Sequence, residues 1–290
     1  MKSNFAPKDS ALARPADLRY LQIGGAYAVG GAFTRVGTEK VFLPIPSVAS
    51  VELPLTGGLS TDKSTRFSLN ASKVKFRPGV KGLAKLRRTP LLSVASATAT
   101  CRSKHVALTD PKGSSTSVDV RGVQVENRFR LKSASLEIQS DHAPNDPYPS
   151  IAFGSKTSIV GMTLDKMKVT VELDLNAFNT FPTLQTLEPA LMNSDKRISP
   201  QVIRSFLRNS DGTLHRNQSG YTLGSIVKRI TGVPPEWIEE NGYTIVWPGF
   251  GKVILGEILV GHFVRRVILV RLKHCDIEIG GGCGGGSTWP

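Results

Sequence analysis

The sequence predicts a mainly β protein, an antiparallel β-sandwich or two packed sheets, carrying a small helical insertion. Three observations carry that class. Thr244–His274 splits into three strand-length apolar runs, Thr244–Trp247, Val253–Val260 and Phe263–Leu272, rich in Val and Ile. Met162–Leu175 alternates apolar and polar residues, with Met167, Val169, Val171, Leu173 and Leu175 on one side and Lys168, Thr170, Glu172 and Asp174 on the other. Helical spacing is confined to one window, Leu184–Met192 and Ser199–Leu207.

The elements follow in order. Residues 1–17 are polar, contain Pro7 and Pro15, and read as an extended arm. A β domain over 18–178 opens with Leu18–Phe33, a Gly-punctuated strand pair. In Val41–Leu53, Pro44 and Pro46 mark an edge strand. Arg66–Phe76 changes its apolar side partway, which predicts a β-bulge near Ser72. Gly79–Arg88 reads as a loop, and Leu91–Cys101, Ser117–Val125 and Phe129–Ile138 as further strands. Asp141–Pro149 is a proline-rich turn. A helical insertion over 179–242 follows, with Ser199 as N-cap and Pro200 at the first helical position. A further short helix is expected at Leu223–Ile230 or Pro235–Asn241. Residues 243–278 form a meander that completes the core, and 279–290, with its GGGCGGG run, reads as a flexible tail. Within the meander, Gly261-His262 suits a type II′ turn. That turn sets Val260 opposite Phe263, Glu257 opposite Arg266, Val253 opposite Val270 and Leu255 opposite Ile268.

Charge is uneven. The chain of 290 residues carries a formal +14, and Lys63–Thr109 holds eleven basic residues and no acid. A one-signed field attracts polyanions such as nucleic acid or anionic polysaccharide. The candidate contacts are Lys73, Lys75, Arg77, Lys81, Lys85, Arg87 and Arg88. The alternative is a solvated face serving solubility or meeting acidic patches on a neighbouring subunit. Only Phe67 and Phe76 are aromatic in this window, which disfavours a base-stacking platform. No apolar run approaches the ~20 residues of a membrane-spanning helix, and the first 20 residues contain no continuous apolar stretch of the signal-peptide kind.

Recognisable chemistry is sparse. His105, His142, His215, His262 and His274 show no metal-ligand spacing. Asp141, His142 and Asp146 match no calcium loop. GGAYAVGG lacks dinucleotide-binding spacing, and Gly154-Ser155-Lys156-Thr157 lacks the upstream glycine of a phosphate loop. No cofactor is expected. His274-Cys275 resembles a base beside a thiol, but neighbouring strand residues point apart. Cys101 and Cys275 each close a strand and can form a disulfide; three free thiols, with Cys283, are the alternative.

The pattern LLSVASATATC from Leu91, followed by SVDVRGVQV and later by PGFGKVILGEILV, resembles the secreted bacterial β-domains called choice-of-anchor P. The resemblance covers about half the chain and implies a secreted or surface-attached domain; a cytosolic location is the alternative. The chain departs from that pattern in its basic charge, its helical insertion and the lack of a visible anchor.

These readings point to a non-enzymatic structural or assembly protein that self-associates through its arms and sheet edges. The alternative is a polyanion-binding module or a viral coat protein. A third reading, a glycan-active enzyme, needs carboxylates such as Asp141 and Glu172 to converge.

Overall fold

A computed structural model describes residues 19–36, 39–53, 58–73, 88, 90–103, 113–143 and 146–289. The fold is mainly β: two large antiparallel sheets packed face to face, with three short helices. The strands are β1 (Arg19–Val36), β2 (Glu39–Glu52), β3 (Leu59–Asn70), β4 (Pro90–Ser103), β5 (Gly113–Val125), β6 (Phe129–Asp141), β7 (Ser150–Phe153), β8 (Ser158–Leu164) and β9 (Met167–Leu173). After α1 (Leu175–Thr180), α2 (Leu184–Met192) and α3 (Pro200–Ser205) come β10 (Thr222–Ser225), β11 (Val227–Thr231), β12 (Thr244–Trp247), β13 (Gly251–Val260), β14 (Val264–Leu272) and β15 (Ile277–Trp289). One sheet has seven strands in the order β10-β13-β14-β15-β1-β2, with β12 also on β13. The other has eight, β11-β9-β8-β6-β5-β4-β3, with β7 also on β6.

The inward side chains of β1 and β15 pack on β4, β5 and β6 in one continuous core. The meander β12–β14 is buried on both faces over most of its length, as its unbroken aliphatic content requires. β2 is an edge strand, and its prolines are tolerated there because no second neighbour needs their missing N–H.

Several expectations are corrected. The hairpin joining β13 and β14 turns over His262-Phe263, and the Gly261 amide donates to the Val264 carbonyl at 2.9 Å. Gly261 serves another purpose: a Cβ there would lie 2.5 Å from the Tyr221 ring. The tip is pinned from outside, with the Tyr148 ring against both His262 and Phe263. Val260 therefore faces Arg265, Leu255 faces Val270 and Val253 faces Leu272. The pairing is thus displaced by two residues from the expected one, and left-handed Gly256 interrupts the alternation along β13. The displacement moves the ion pair, since Glu257 meets Arg271 at 2.7 Å instead of Arg266.

The GGGCGGG run is no tail. It lies in β15, hydrogen-bonded to β14 on one side and β1 on the other. A Cβ at Gly281 would meet Tyr27 Cζ at 2.0 Å, and one at Gly285 the Phe263 carbonyl oxygen at 2.0 Å. Close approach, not flexibility, requires these glycines. Of the expected strand pair Leu18–Phe33, residues 19–33 belong to a single strand, and Met162–Leu173 is a hairpin folded at Asp165-Lys166 rather than one strand. Leu223–Ile230 forms β10 and β11 instead of a helix, and Pro235–Trp237 is a single 3₁₀ turn. β3 ends at Asn70 in a 3₁₀ turn, Ala71–Lys73, and its left-handed residue is Arg66 rather than one near Ser72. Residues 1–17 lie outside the described residues.

Cys101 and Cys275 form no disulfide; all three cysteines are free. Cys101 packs beside Val51 and Thr116, where β1 pairs Gly25 with Cys283. Cys275 sits past Ile277, which pairs with Gly31. Those levels are six residues apart along β1, about 20 Å, far beyond disulfide reach.

Candidate anion-binding cleft

The cleft begins as an irregularity in the eight-stranded sheet. Alternation breaks once in each of four adjacent strands, where two successive residues point outward: Ala95-Ser96, Arg121-Gly122, Lys132-Ser133 and Val160-Gly161. These pairs are aligned. Ser96 faces Arg121, Arg121 faces Ser133, and Ser133 faces Val160. Because all four strands carry one extra residue at the same level, the register between them does not change. The pleat is interrupted across the sheet, which bends it.

Gly122 and Gly161 adopt left-handed φ of 62° and 66° on either side of Lys132. A Cβ at Gly161 would lie 2.6 Å from the Lys132 Cβ, so glycine there lets the lysine stem cross the bend.

Over this floor lies a cleft of about 860 Å³. Arg130 and Lys132 project from β6, and Lys166 from the β8–β9 turn. All three are exposed, and none is held by a carboxylate among the described residues. Gln124, Arg130, Thr163 and Lys168 form one polar row through the ladder. Trp237, half-buried, and Trp247, buried, close the far side.

That wall is tightly held. Arg128 binds Asp165 through Nε and Nη2, at 2.9 and 2.7 Å, and donates from Nη1 to the Gly249 carbonyl at 2.6 Å. Its guanidinium lies 4.7 Å from the Trp247 ring centre. Phe250 stacks on Trp247 at 4.1 Å. Arg128 hydrogen bonds hold the Asp165 carboxyl below its usual range, opposed by burial and aided by the Arg128 charge. Four of the seven described non-glycine residues with positive φ cluster at this end: Glu126, Asn127, Asp165 and Asp276. Backbone strain concentrated this way accompanies functional sites.

Behind the wall a second cleft of about 740 Å³ holds Arg35, Glu126 and His274. His274 Nε2 lies 3.7 Å from Glu126, and its ring contacts Phe250. Among the described residues of this group, the neighbouring thiol is no nucleophile. Cys275 is fully buried, donates to the Leu272 carbonyl, and has its thiol pushed well up by burial. A thiol kept protonated does not attack.

The sequence placed the contact surface elsewhere. Lys75, Arg77, Lys81, Lys85 and Arg87 lie outside the described residues; Lys73 ends a 3₁₀ turn and Arg88 lies in an exposed turn. Asp141 and Glu172 do not converge. Glu172 pairs with Arg229; the ladder puts Val169 level with Leu131, ten residues along β6 from Asp141, and Glu172 is three residues beyond Val169. That leaves about 23 Å, too far for a glycosidase pair. The cleft residues were missed because Arg130 and Lys132 read as an ordinary wet face. The available signal was the doubled outward pair in four successive strands.

No curated protein and no solved structure matches the chain. A family profile does match residues 20–261, from the start of β1 to the end of the β13 ladder, and covers most of the chain. The chain therefore belongs to the family described as Domain of unknown function (DUF8256).

Proposed function

We propose that the protein is a non-enzymatic binding module for an anionic polymer. One observation carries the reading: Arg130, Lys132 and Lys166 line a preformed cleft whose carboxylate among the described residues, Asp165, is taken by Arg128. Cations so placed draw anions by long-range attraction and hold them at short range. The basic segment 63–109 adds a wider positive field.

Retention on immobilised heparin tests this reading. The protein binds at ~0.05 M salt and is released by a few-fold increase. The triple variant Arg130→Ala, Lys132→Ala, Lys166→Ala elutes earlier than a charge-matched control, Lys156→Ala, Lys196→Ala, Lys228→Ala. Equal elution of the two variants refutes the cleft as the binding site.

A second reading, a self-assembling structural subunit, is favoured by Phe42 and Leu59, 78% and 67% exposed on the β2 and β3 edges. Both edges also carry features that oppose strand addition: Pro44 and Pro46, left-handed Ala49 and Arg66, and Asp62 accepting from the Ser50 amide. Association through these side chains, rather than through the strand edges, is therefore the form this reading takes. Mass photometry of the Phe42→Ser, Leu59→Ser variant tests it: oligomers that persist unchanged exclude this flank.

A further inference from the structure

We infer that the ligand of the cleft is an acidic oligosaccharide segment, carrying sulfate or carboxylate groups, rather than a nucleic acid. The inference rests on the anion-binding reading above and goes on to name the ligand. Three features of the cleft select between the two polymers.

The first is the state of the aromatic rings. Single-stranded nucleic acid is held by successive bases stacking on open aromatic faces. Trp247 is 2% exposed, and Phe250 and the Arg128 guanidinium already pack against its ring. Among the described residues, only Trp237 presents a partly open ring to the cleft. One platform suits one sugar ring and does not suit a run of bases.

Shape is the second. Duplex nucleic acid is read by an element that enters a groove. This site is the reverse, a hollow in a bent sheet. Its volume of about 860 Å³ is in the range of small-ligand pockets.

The third is the polar lining. Gln124, Asn127 and Thr163 contribute amide and hydroxyl groups between the cations. These can both donate to and accept from sugar hydroxyls, whereas Arg130, Lys132 and Lys166 can only donate, and so take the acidic groups. Arg130 and Lys132 are two residues apart on β6, about 7 Å, so one acidic group can be met by each.

Isothermal titration and tryptophan fluorescence of the full chain test the inference with three probes: a heparin-derived tetrasaccharide, an uncharged glucose tetrasaccharide, and an oligothymidylate of matching charge. The sulfated tetrasaccharide is expected to bind and change the emission of Trp237, and the uncharged one to show no binding. Arg130→Ala with Lys132→Ala, both at exposed positions, should weaken binding about tenfold and reduce its salt dependence, with the melting temperature unchanged. Trp237→Phe should remove most of the fluorescence change.

Oligothymidylate binding as tight as the tetrasaccharide overturns the sugar assignment and leaves the anion-binding reading intact. Binding of neither anion at low salt overturns both. Tetrasaccharide binding that the double variant leaves unchanged overturns the placement in this cleft.

Discussion

Arg265 donates to the carbonyl of Phe181 at 2.7 Å from a position in β14 that is 1% exposed. The same guanidinium reaches the carbonyls of Phe178 at 3.1 Å and Ile151 at 2.6 Å. Phe178 lies in the last turn of α1 and Phe181 is its C-cap, so a cation sits on carbonyls that the short helix leaves open. Ile151 belongs to β7 of the opposite sheet. One side chain thus ties both sheets and the helical block together. Burial pushes the guanidinium down to about 9, which leaves it charged at neutral pH.

Arg265→Met removes the donor and strands three carbonyls. The expected loss is about 3 kcal/mol or more, read as a lower urea midpoint. Arg265→Lys, a point donor without the planar fork, should recover part of it. A Met variant within ~1 kcal/mol of the parent would show that these bonds are replaced on unfolding at no net cost.

Gly281 and Tyr27 form a second dependence between distant parts of the chain. Gly281→Ala drives a methyl into the Tyr27 ring, with an expected loss of about 1–3 kcal/mol. Tyr27→Ala in the same chain opens that space, so the double variant should be more stable than additivity allows. Tyr27 also gives a pH signature. Burial, then its hydrogen bond to Glu278, pushes the phenol up to about 12 from 10. Its stabilising contribution is complete below pH 10 and is lost as pH rises through 12. Burial also raises the Tyr243 phenol, so absorbance at alkaline pH should show late-titrating tyrosines, one of which Tyr27→Phe removes.

These two cases mark what a single sequence conveys. Alternation located the inner side of β9, where Val169 is buried and Lys168 and Thr170 are exposed, and unbroken aliphatic runs marked β13 and β14 as covered on both faces. Glycine was ambiguous, since GGGCGGG suits a linker and a crowded strand equally; only the partner, Tyr27, decides. Arg265 looked like a charge interrupting an apolar run, because its three acceptors are backbone atoms more than 80 residues away. The cleft was hidden for a similar reason. Lys132-Ser133 is one irregular step in one strand, and it becomes a site only when β4, β5 and β8 repeat the step beside it.

The free thiols predict a simple chemical outcome. Burial pushes Cys101 up to about 11 and raises Cys275 and Cys283 as well. Native protein should react slowly with a thiol reagent at neutral pH, while unreduced protein in denaturant should yield all three thiols of the chain. Reductant should leave the melting temperature unchanged. A single titratable thiol in denaturant would mean that a disulfide forms after all.

The wall of the cleft predicts an acid-sensitive signal. Asp165 accepts two bonds from Arg128, and its carboxyl lies below the ordinary 3.8 chiefly as a result, against an opposing effect of burial. A depressed carboxyl stabilises the folded state above its unfolded value and loses that contribution as pH falls through the lower folded value. The window is therefore below about pH 4. The pair is partly exposed, at 32% and 49% of its side chains, so the effect on global stability is well under ~1 kcal/mol. The local effect is larger in consequence, because releasing Arg128 uncovers a face of Trp247. Tryptophan emission should shift below about pH 4 in the parent protein. Asp165→Asn keeps the shape but never carries the charge, so its emission should already resemble the acid form at neutral pH and show no such shift. An Asp165→Asn protein that retains the acid transition would assign it to another carboxylate and leave Arg128 held by the Gly249 carbonyl and the aromatic stack alone.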